Sequence, residues 1–305
     1  ASFAGLGAFA IDATSFYVTM GNTATPPTYS VDTCPLTGCA GSPTPIVTGL
    51  QAPYYLYTAG TNLYVGTSTT LYSYTKAGAA NWNWDGTSVY NQWGITSDAT
   101  YVYVASGTGL ERITIAGGTP SLFVYGGQSG PGFTSIWYDA TTNDVYGTLG
   151  EATATWGQCN AAGTPPVGCL EETSNNPASI STPYQVLVVG STLYIAANGS
   201  TAAGYADGGI FTAPVSNMRQ TTAFAAGFPM GGPMVADATT LYFSAGTSTI
   251  QSCPLSGCGS GPATVYAIPN ETSVVALAVD ASAVYWLETS TATGAQVSAV
   301  KKLAK

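Results

Sequence analysis

The chain has 305 residues, 45% of them apolar and only 7% charged, so it can bury a large core and must build its polar surface mostly from Thr, Ser, Gly and Asn. Six Lys plus Arg against fifteen Asp plus Glu leave a net charge of -9. That balance argues against nucleic acid as a partner, because neutralising a phosphate backbone needs clustered cations. With no His, the chain has no Ser-His-Asp or Cys-His nucleophile and no imidazole metal ligand, and no 18-residue apolar run offers a transmembrane helix.

The first informative stretch is Asp12-Ala-Thr-Ser-Phe-Tyr-Val18, because related copies follow it through the chain. Asp98-Ala-Thr-Tyr-Val-Tyr-Val104, Asp237-Ala-Thr-Thr-Leu-Tyr-Phe243 and Asp280-Ala-Ser-Ala-Val-Tyr-Trp286 keep the pattern. Asp139-Ala-Thr-Thr-Asn-Asp-Val-Tyr146 adds two residues in the turn. Two copies lack the Asp: Ala59-Gly-Thr-Asn-Leu-Tyr-Val65 and Val189-Gly-Ser-Thr-Leu-Tyr-Ile195. Tyr17, Tyr64, Tyr103, Tyr146, Tyr194, Tyr242 and Tyr285 mark the register, 39 to 48 residues apart. Each copy has an apolar run before the turn, a Tyr-containing run after it, and two further short runs, which predicts four short strands per unit. Units of 40 to 50 residues with four strands each predict an all-β, seven-bladed β-propeller in one domain. The blades fall near 8–50, 51–90, 91–131, 132–178, 179–230, 231–271 and 272–305. The last blade has only three predicted strands, so residues 1–7 are expected to supply its outer strand and remove an open edge.

The six cysteines form three close pairs: Cys34-Pro-Leu-Thr-Gly-Cys39, Cys159 with Cys169, and Cys253-Pro-Leu-Ser-Gly-Cys258. Zinc sites favour tighter Cys-x-x-Cys knuckles and often His, so disulfides pairing Cys34–Cys39, Cys159–Cys169 and Cys253–Cys258 are expected, and no metal or cofactor. Such short loops contribute roughly 2 kcal/mol each and imply an oxidising compartment. The chain reads as a mature exported product, or a trimmed form of one: secreted, periplasmic or cell-surface.

With these turns and hairpins the chain resembles the secreted bacterial β-propeller repeats, abundant among predicted myxobacterial proteins, that combine an Asp-Ala-Thr/Ser-x-x-Tyr turn with a Cys-Pro-Leu-x-Gly-Cys hairpin. The resemblance spans all seven blades and implies fold and export, with almost nothing about activity. This chain departs from it by keeping the full Cys hairpin in two blades only, by stretching it in blade 4, and by losing the turn Asp in blades 2 and 5.

In a propeller the Asp turns and cysteine hairpins share one face. Each Asp is explained there by its side chain accepting backbone N–H groups of a tight turn. Ligands are sought on the opposite face, whose loops are longest in blades 1, 4 and 5. Tyr54, Gln92, Trp93, Phe133, Tyr184, Met230 and Met234 are expected at inner-strand starts, and Glu151, Trp156, Tyr205, Asp207 and Glu288 on or beside outer loops. The ligand-binding candidates are Trp93, Phe133, Glu151, Trp156, Tyr184, Tyr205, Asp207 and Glu288, with no catalytic residue assigned. An aromatic mouth with few charges suits sugar stacking or packing against a protein loop. The leading function is an exported, non-enzymatic recognition or surface-assembly module with a protein or glycan partner, and self-association is an open possibility. The alternatives are a glycan-specific lectin and a carboxylate-based glycosidase or polysaccharide lyase using Glu151, Asp207 and Glu288. Glu171-Glu172 are expected to be solvated, the sequons at Asn198 and Asn270 to be chance matches, and Lys301, Lys302 and Lys305 to protect an outer edge. The partner site is placed within reach of Tyr205 and Asp207, in the long blade 5 connection over residues 197–209, with Gly199, Gly204, Gly208 and Gly209 lending it mobility.

Overall fold

The structure, a computed structural model, describes residues 2–4, 8–21, 27–39, 41–85, 94–106, 109–125, 133–149, 155–163, 169–173, 180–200, 203, 207–228, 230, 232–246, 249–259, 261–269, 272–290 and 297–305. Seven four-stranded antiparallel sheets are the seven blades of a β-propeller. Blade 1 runs from Phe9–Ile11 to Thr44–Leu50, blade 2 from Pro53–Ala59 to Ala80–Asp85, and blade 3 from Ile95–Ser97 to Ser121–Tyr125. Blade 4 runs from Phe133–Asp139 to Cys169–Thr173, blade 5 from Pro183–Val189 to Thr222–Ala226, and blade 6 from Met234–Ala236 to Ala263–Ala267. Blade 7 comprises Thr272–Val279, Ala283–Ser290 and Val297–Ala304, and its outer strand is Ser2–Ala4, as the three-strand remainder predicts.

The second strand of each blade carries the register Tyr, and its neighbours are apolar whichever way they point. Leu63, Tyr64 and Val65, like Val102, Tyr103 and Val104, are fully buried. A strand covered on both faces has no reason to alternate. The outer strands are the opposite: in blades 1, 2, 5 and 6 most of their residues face solvent.

The chain divides into two compact units, Ser88–Tyr266 and the remainder. Within Ser88–Tyr266 the apolar cores lie between successive blades. Phe123, Phe133 and Ile136 pack between blades 3 and 4, Tyr146, Trp156 and Phe211 between blades 4 and 5, and Tyr194, Met230, Met234 and Phe243 between blades 5 and 6. The inner strands are also tied by polar bonds: Tyr138 N–H to Thr96 Oγ1 (3.1 Å), and Gln185 to both backbone groups of Met234 (2.8 Å each). In the other unit, Val18 and Cys34 of blade 1 pack with Tyr285 and Leu287 of blade 7, and Tyr17, Val31 and Val47 pack with Leu56 and Leu63 of blade 2. Thr58 Oγ1 donates to the Ile11 carbonyl at 2.7 Å across the inner strands of blades 1 and 2.

The carboxy-terminal lysines follow the stretch of blade 7's third strand that the outer strand Ser2–Ala4 pairs with, Val297 to Ala299. Lys301 and Lys302 lie in the third strand of blade 7, with Ser2–Ala4 outside it. Lys301 pairs with Glu288 (3.3 Å), Lys302 donates to the Leu36 carbonyl (3.3 Å), and Lys305 donates to the Asp280 carbonyl.

Candidate functional site

The two ends of a blade are built differently. At the end bearing the first turn, Asp12, Asp98, Asp237 and Asp280 each use Oδ1 to accept the N–H groups two and three residues on, at 2.6–2.9 Å. The other carboxylate oxygen accepts the register tyrosine's hydroxyl from Tyr17 to Asp12 (3.0 Å), Tyr103 to Asp98 (2.7 Å) and Tyr285 to Asp280 (2.9 Å). Asp and Tyr five residues apart therefore form one device. In blade 4 the lengthened turn interposes Thr142, which bonds Asp139 and meets the Tyr146 hydroxyl, and Asn143 takes φ of 56°. Where the Asp is missing, Gly60 (φ 54°) and Gly190 (φ 60°) form the turn by occupying the left-handed region directly.

This end also holds the hairpin between third and fourth strands. In all seven blades the residue after the third strand donates its N–H to a carbonyl of the first turn, from Leu36 to Thr14 through Lys305 to Ser282, at 2.8–3.1 Å. Carbonyls of these hairpins accept, in turn, a side chain of the preceding blade: Arg112 reaches Ala161, Trp156 reaches Met218, and Tyr194 reaches Leu255 (3.1–3.3 Å). The disulfides Cys34–Cys39 and Cys253–Cys258 close two of these hairpins as expected. Cys159 is disulfide-bonded, and Cys169 stands directly opposite it in the register. Burial works against ionisation of Asp12, yet Lys76 and the turn's own donors hold its carboxyl well below the usual carboxylate range.

At the other end the connection between second and third strands is Ser68-Thr69 in blade 2, but in blade 5 it runs from Ala197 to Gly209. The base of that loop is closed by Asp207. Its Oδ1 accepts the Ser200 N–H at 2.7 Å, forming a clasp. Burial alone would raise the Asp207 pKa, but hydrogen bonding, the Ser200 N–H first, lowers it below the ordinary carboxylate value. The Ala203 N–H bonds Ser200 Oγ at 3.2 Å, so the clasp extends into the loop. Beneath it, Gly199 and Asn198 donate to the carbonyls of Ser181 and Thr182. Thr182 has φ of 51°, the one β-branched residue at positive φ among the described residues, a conformation that costs about 1–3 kcal/mol.

The glycines here act through close approach, not mobility. A Cβ on Gly199 would lie 2.6 Å from the Gly208 nitrogen, one on Gly208 2.7 Å from the Asn198 oxygen, and one on Gly209 2.3 Å from the Ala225 oxygen. All three obstacles are backbone. Gly204 lies outside the described residues.

Of the sequence candidates, Asp207 is in the clasp itself. Tyr184 is partly buried two residues from Thr182, and its hydroxyl donates to the Gly232 carbonyl. Phe133 and Trp156 are core residues, 4% and 0% exposed, and offer no face to a ligand. Met230 and Met234 are buried likewise. Glu288 is buried in blade 7, with one oxygen on Trp286 Nε1 (3.1 Å) and the other on Lys301. Trp93, Glu151 and Tyr205, with Gln92, lie outside the described residues. A glycosidase pairs a protonated general acid with an ionised carboxylate, and the lowered pKa of Asp207 suits it only to the second role. Among the described residues no cluster of three or more His, Cys, Asp or Glu could hold a metal, and no helix is long and apolar enough to cross a membrane.

Sequence reasoning missed Thr182, which carries no local signal, and Trp137, 41% exposed on the inner strand of blade 4. A bulge between Phe133 and Ser135 breaks the alternation from which Trp137's direction would be read.

No family model matches the chain, and no curated protein matches it. BamB from Moraxella catarrhalis is similar in structure at 11% identity, over 96% of this chain and 81% of its own, with a TM-score of 0.58. The computationally designed Ika4 protein matches 55% of this chain and 96% of its own at 14% identity, with a TM-score of 0.42. The likeness to BamB is one of fold: this chain is a β-propeller.

Proposed function

We propose that this chain is an exported, non-enzymatic recognition module that binds a protein partner through the blade 5 loop, over residues 197–209. The observation that carries the reading is the clasp. A tolerated insertion needs no built base, yet Asp207 accepts the Ser200 N–H where this loop begins and ends, near a Thr182 held at positive φ, and backbone strain of that kind gathers at functional sites. Asp207 itself serves to hold the base of the loop in shape. Export is supported by the disulfide-clipped hairpins, which persist in oxidising compartments, and by the resemblance to secreted bacterial repeats.

A glycan is the second reading, favoured by Trp137, since an exposed indole on an inner strand can stack on a sugar ring. A loop exchange decides between the two. Replacing residues 197–209 with the blade 3 connection, residues 106–109, is expected to weaken binding of a cross-linked partner tenfold or more, about 1.4 kcal/mol. Unchanged affinity in a folded variant rejects the site. Glycan-array signal that survives the exchange and is lost in Trp137→Ala would move the function to the second reading.

A further inference from the structure

Outside the loop site, blade 2 departs from the repeat on its third and fourth strands. Tyr74 pairs with Leu63, the residue before the register Tyr64. The same register position holds Cys34 in blade 1, Cys159 in blade 4 and Cys253 in blade 6, which are 2%, 1% and 0% exposed. Blade 2 therefore carries an aromatic where those blades carry a core cysteine, and Tyr74 is only half-buried. Tyr72, two residues earlier on the same face, sets its ring centre 6.0 Å from that of Tyr74 at an interplanar angle of 22°. Both rings, with Tyr29 of blade 1, pack against the apolar core between blades 1 and 2, inside one compact unit. Among the described residues none of these three hydroxyls has a hydrogen-bond partner. None is a buried atom either, so all three reach solvent.

The outer strand, Ala80–Asp85, adds polar groups to the same face. Asn83 stands opposite Tyr72 in the register, with Cβ atoms about 5 Å apart, and Asp85 stands opposite Thr70. Asn83 and Asp85 are exposed. Thr70 Oγ1 donates to Asp85 Oδ1 at 2.9 Å and Asn83 Nδ2 donates to Asp85 Oδ2 at 3.1 Å, so the carboxylate is fixed before any ligand arrives. What remains for a ligand is one Asn83 N–H, the Asn83 carbonyl oxygen, further lone pairs on Asp85 and the tyrosine hydroxyls. That set mixes donors with acceptors and holds no cation. Lys76, the one cation of blade 2, is paired with Asp12 at the Asp-turn end. An anion would meet the Asp85 charge unopposed, and an apolar partner would leave the hydroxyls unpaired. A neutral sugar suits both halves, because each of its hydroxyls donates and accepts while its C–H face lies on a tyrosine ring. We propose that Tyr72, Tyr74, Asn83 and Asp85, at the seam of blades 1 and 2, form a binding site for a neutral saccharide.

The probe is an array of neutral oligosaccharides of hexoses and N-acetylhexosamines, with their sialylated and sulfated counterparts as the charged set. At least one neutral glycan is expected to bind about tenfold more tightly than its charged counterpart. Asp85→Ala should weaken that binding about tenfold, and Tyr72→Phe, which removes only a hydroxyl, about threefold. Because Tyr72 also packs the core, Asn83→Ala at an exposed position supplies the second readout: a loss of about fivefold at unchanged Tm. Exchange of residues 197–209 and Trp137→Ala should each leave the binding as it was, so this site stands or falls apart from the blade 5 loop. An array with no bound neutral glycan, tighter binding of the charged set, or binding indifferent to both Asp85→Ala and Asn83→Ala overturns the proposal. So does loss of the signal in Trp137→Ala, which would give the sugar to blade 4.

Discussion

The two ends of the blades teach different things about the same sequence. At the Asp-turn end one backbone bond recurs in all seven blades, from Leu36 to Thr14 through Lys305 to Ser282. At the loop end of blade 5, Asp207 closes a loop of a length that blade 2 does without, over a threonine in the left-handed region. Recurrence is what a repeat fold needs for its own stability. The bond from Ser200 to Asp207 at the blade 5 loop base does not belong to the repeated turn, and recognition is the cause proposed for it.

The sharpest way to break this contrast is Gly209→Ala. The new Cβ would lie 2.3 Å from the Ala225 oxygen at a φ of 128°, so a loss of about 3 kcal/mol in urea unfolding is expected. A loss under about 0.5 kcal/mol would mean that the loop base yields and is not built. Next comes Asp98→Ala, which removes the acceptor of the Thr100 and Tyr101 N–H groups and of the Tyr103 hydroxyl, for about 2 kcal/mol. Tyr103→Phe should lose about 1 kcal/mol, and a double-mutant cycle should show the two changes coupled. Additive values would dissolve the Asp-Tyr device.

Thr182→Gly is predicted to act in the other direction, raising stability by about 1 kcal/mol, because glycine accepts φ of 51° without strain. A destabilised variant would show that Thr182 is not strained. The pH response should be smaller and two-sided at the Asp-turn end. Burial works against ionisation of Asp280, but Ser282, Tyr285 and the Ala283 N–H hold its pKa at about 2. The unfolded chain, with an ordinary Asp value near 3.9, then takes up the proton first as pH falls. The stabilisation is complete above about pH 4 and is lost toward pH 2. Tyr17 behaves oppositely. Burial and its bond to Asp12 raise its pKa to about 12, so its contribution is present below about pH 10 and fades as pH climbs to 12. Amide exchange in the first turns across both ranges checks the signs, and a turn that tightened toward pH 2 would contradict the Asp assignment.

Much of the Asp-turn end was legible because its signals are local. Asp12 and Tyr17 lie five residues apart, and both Cys-Pro-Leu-x-Gly-Cys hairpins announce their own bonds. The role of the tyrosine hydroxyls was not read, since a period identifies Tyr without saying what its oxygen meets. The loop end resisted for a physical reason: its parts come from distant positions. Ser200 meets Asp207, Gly199 meets the Ser181 carbonyl, and Gly208 is required by the carbonyls of Asn198 and Phe228. Composition then misleads, because glycines that permit close backbone contact look the same in sequence as glycines that loosen a loop. Bulges mislead likewise, as at Phe133, where one extra residue separates a core ring from the exposed Trp137.

The central claim, that a partner is met at the loop end of blade 5, is tested most directly by site-specific photo-cross-linking in the organism that produces the protein. A photoreactive residue at exposed Ala203, in the loop, is compared with one at exposed Ser256, in the blade 6 hairpin at the Asp-turn end. A discrete adduct with one protein is expected from position 203 and none from position 256. Adducts from position 256 alone, or equally from both, would contradict it.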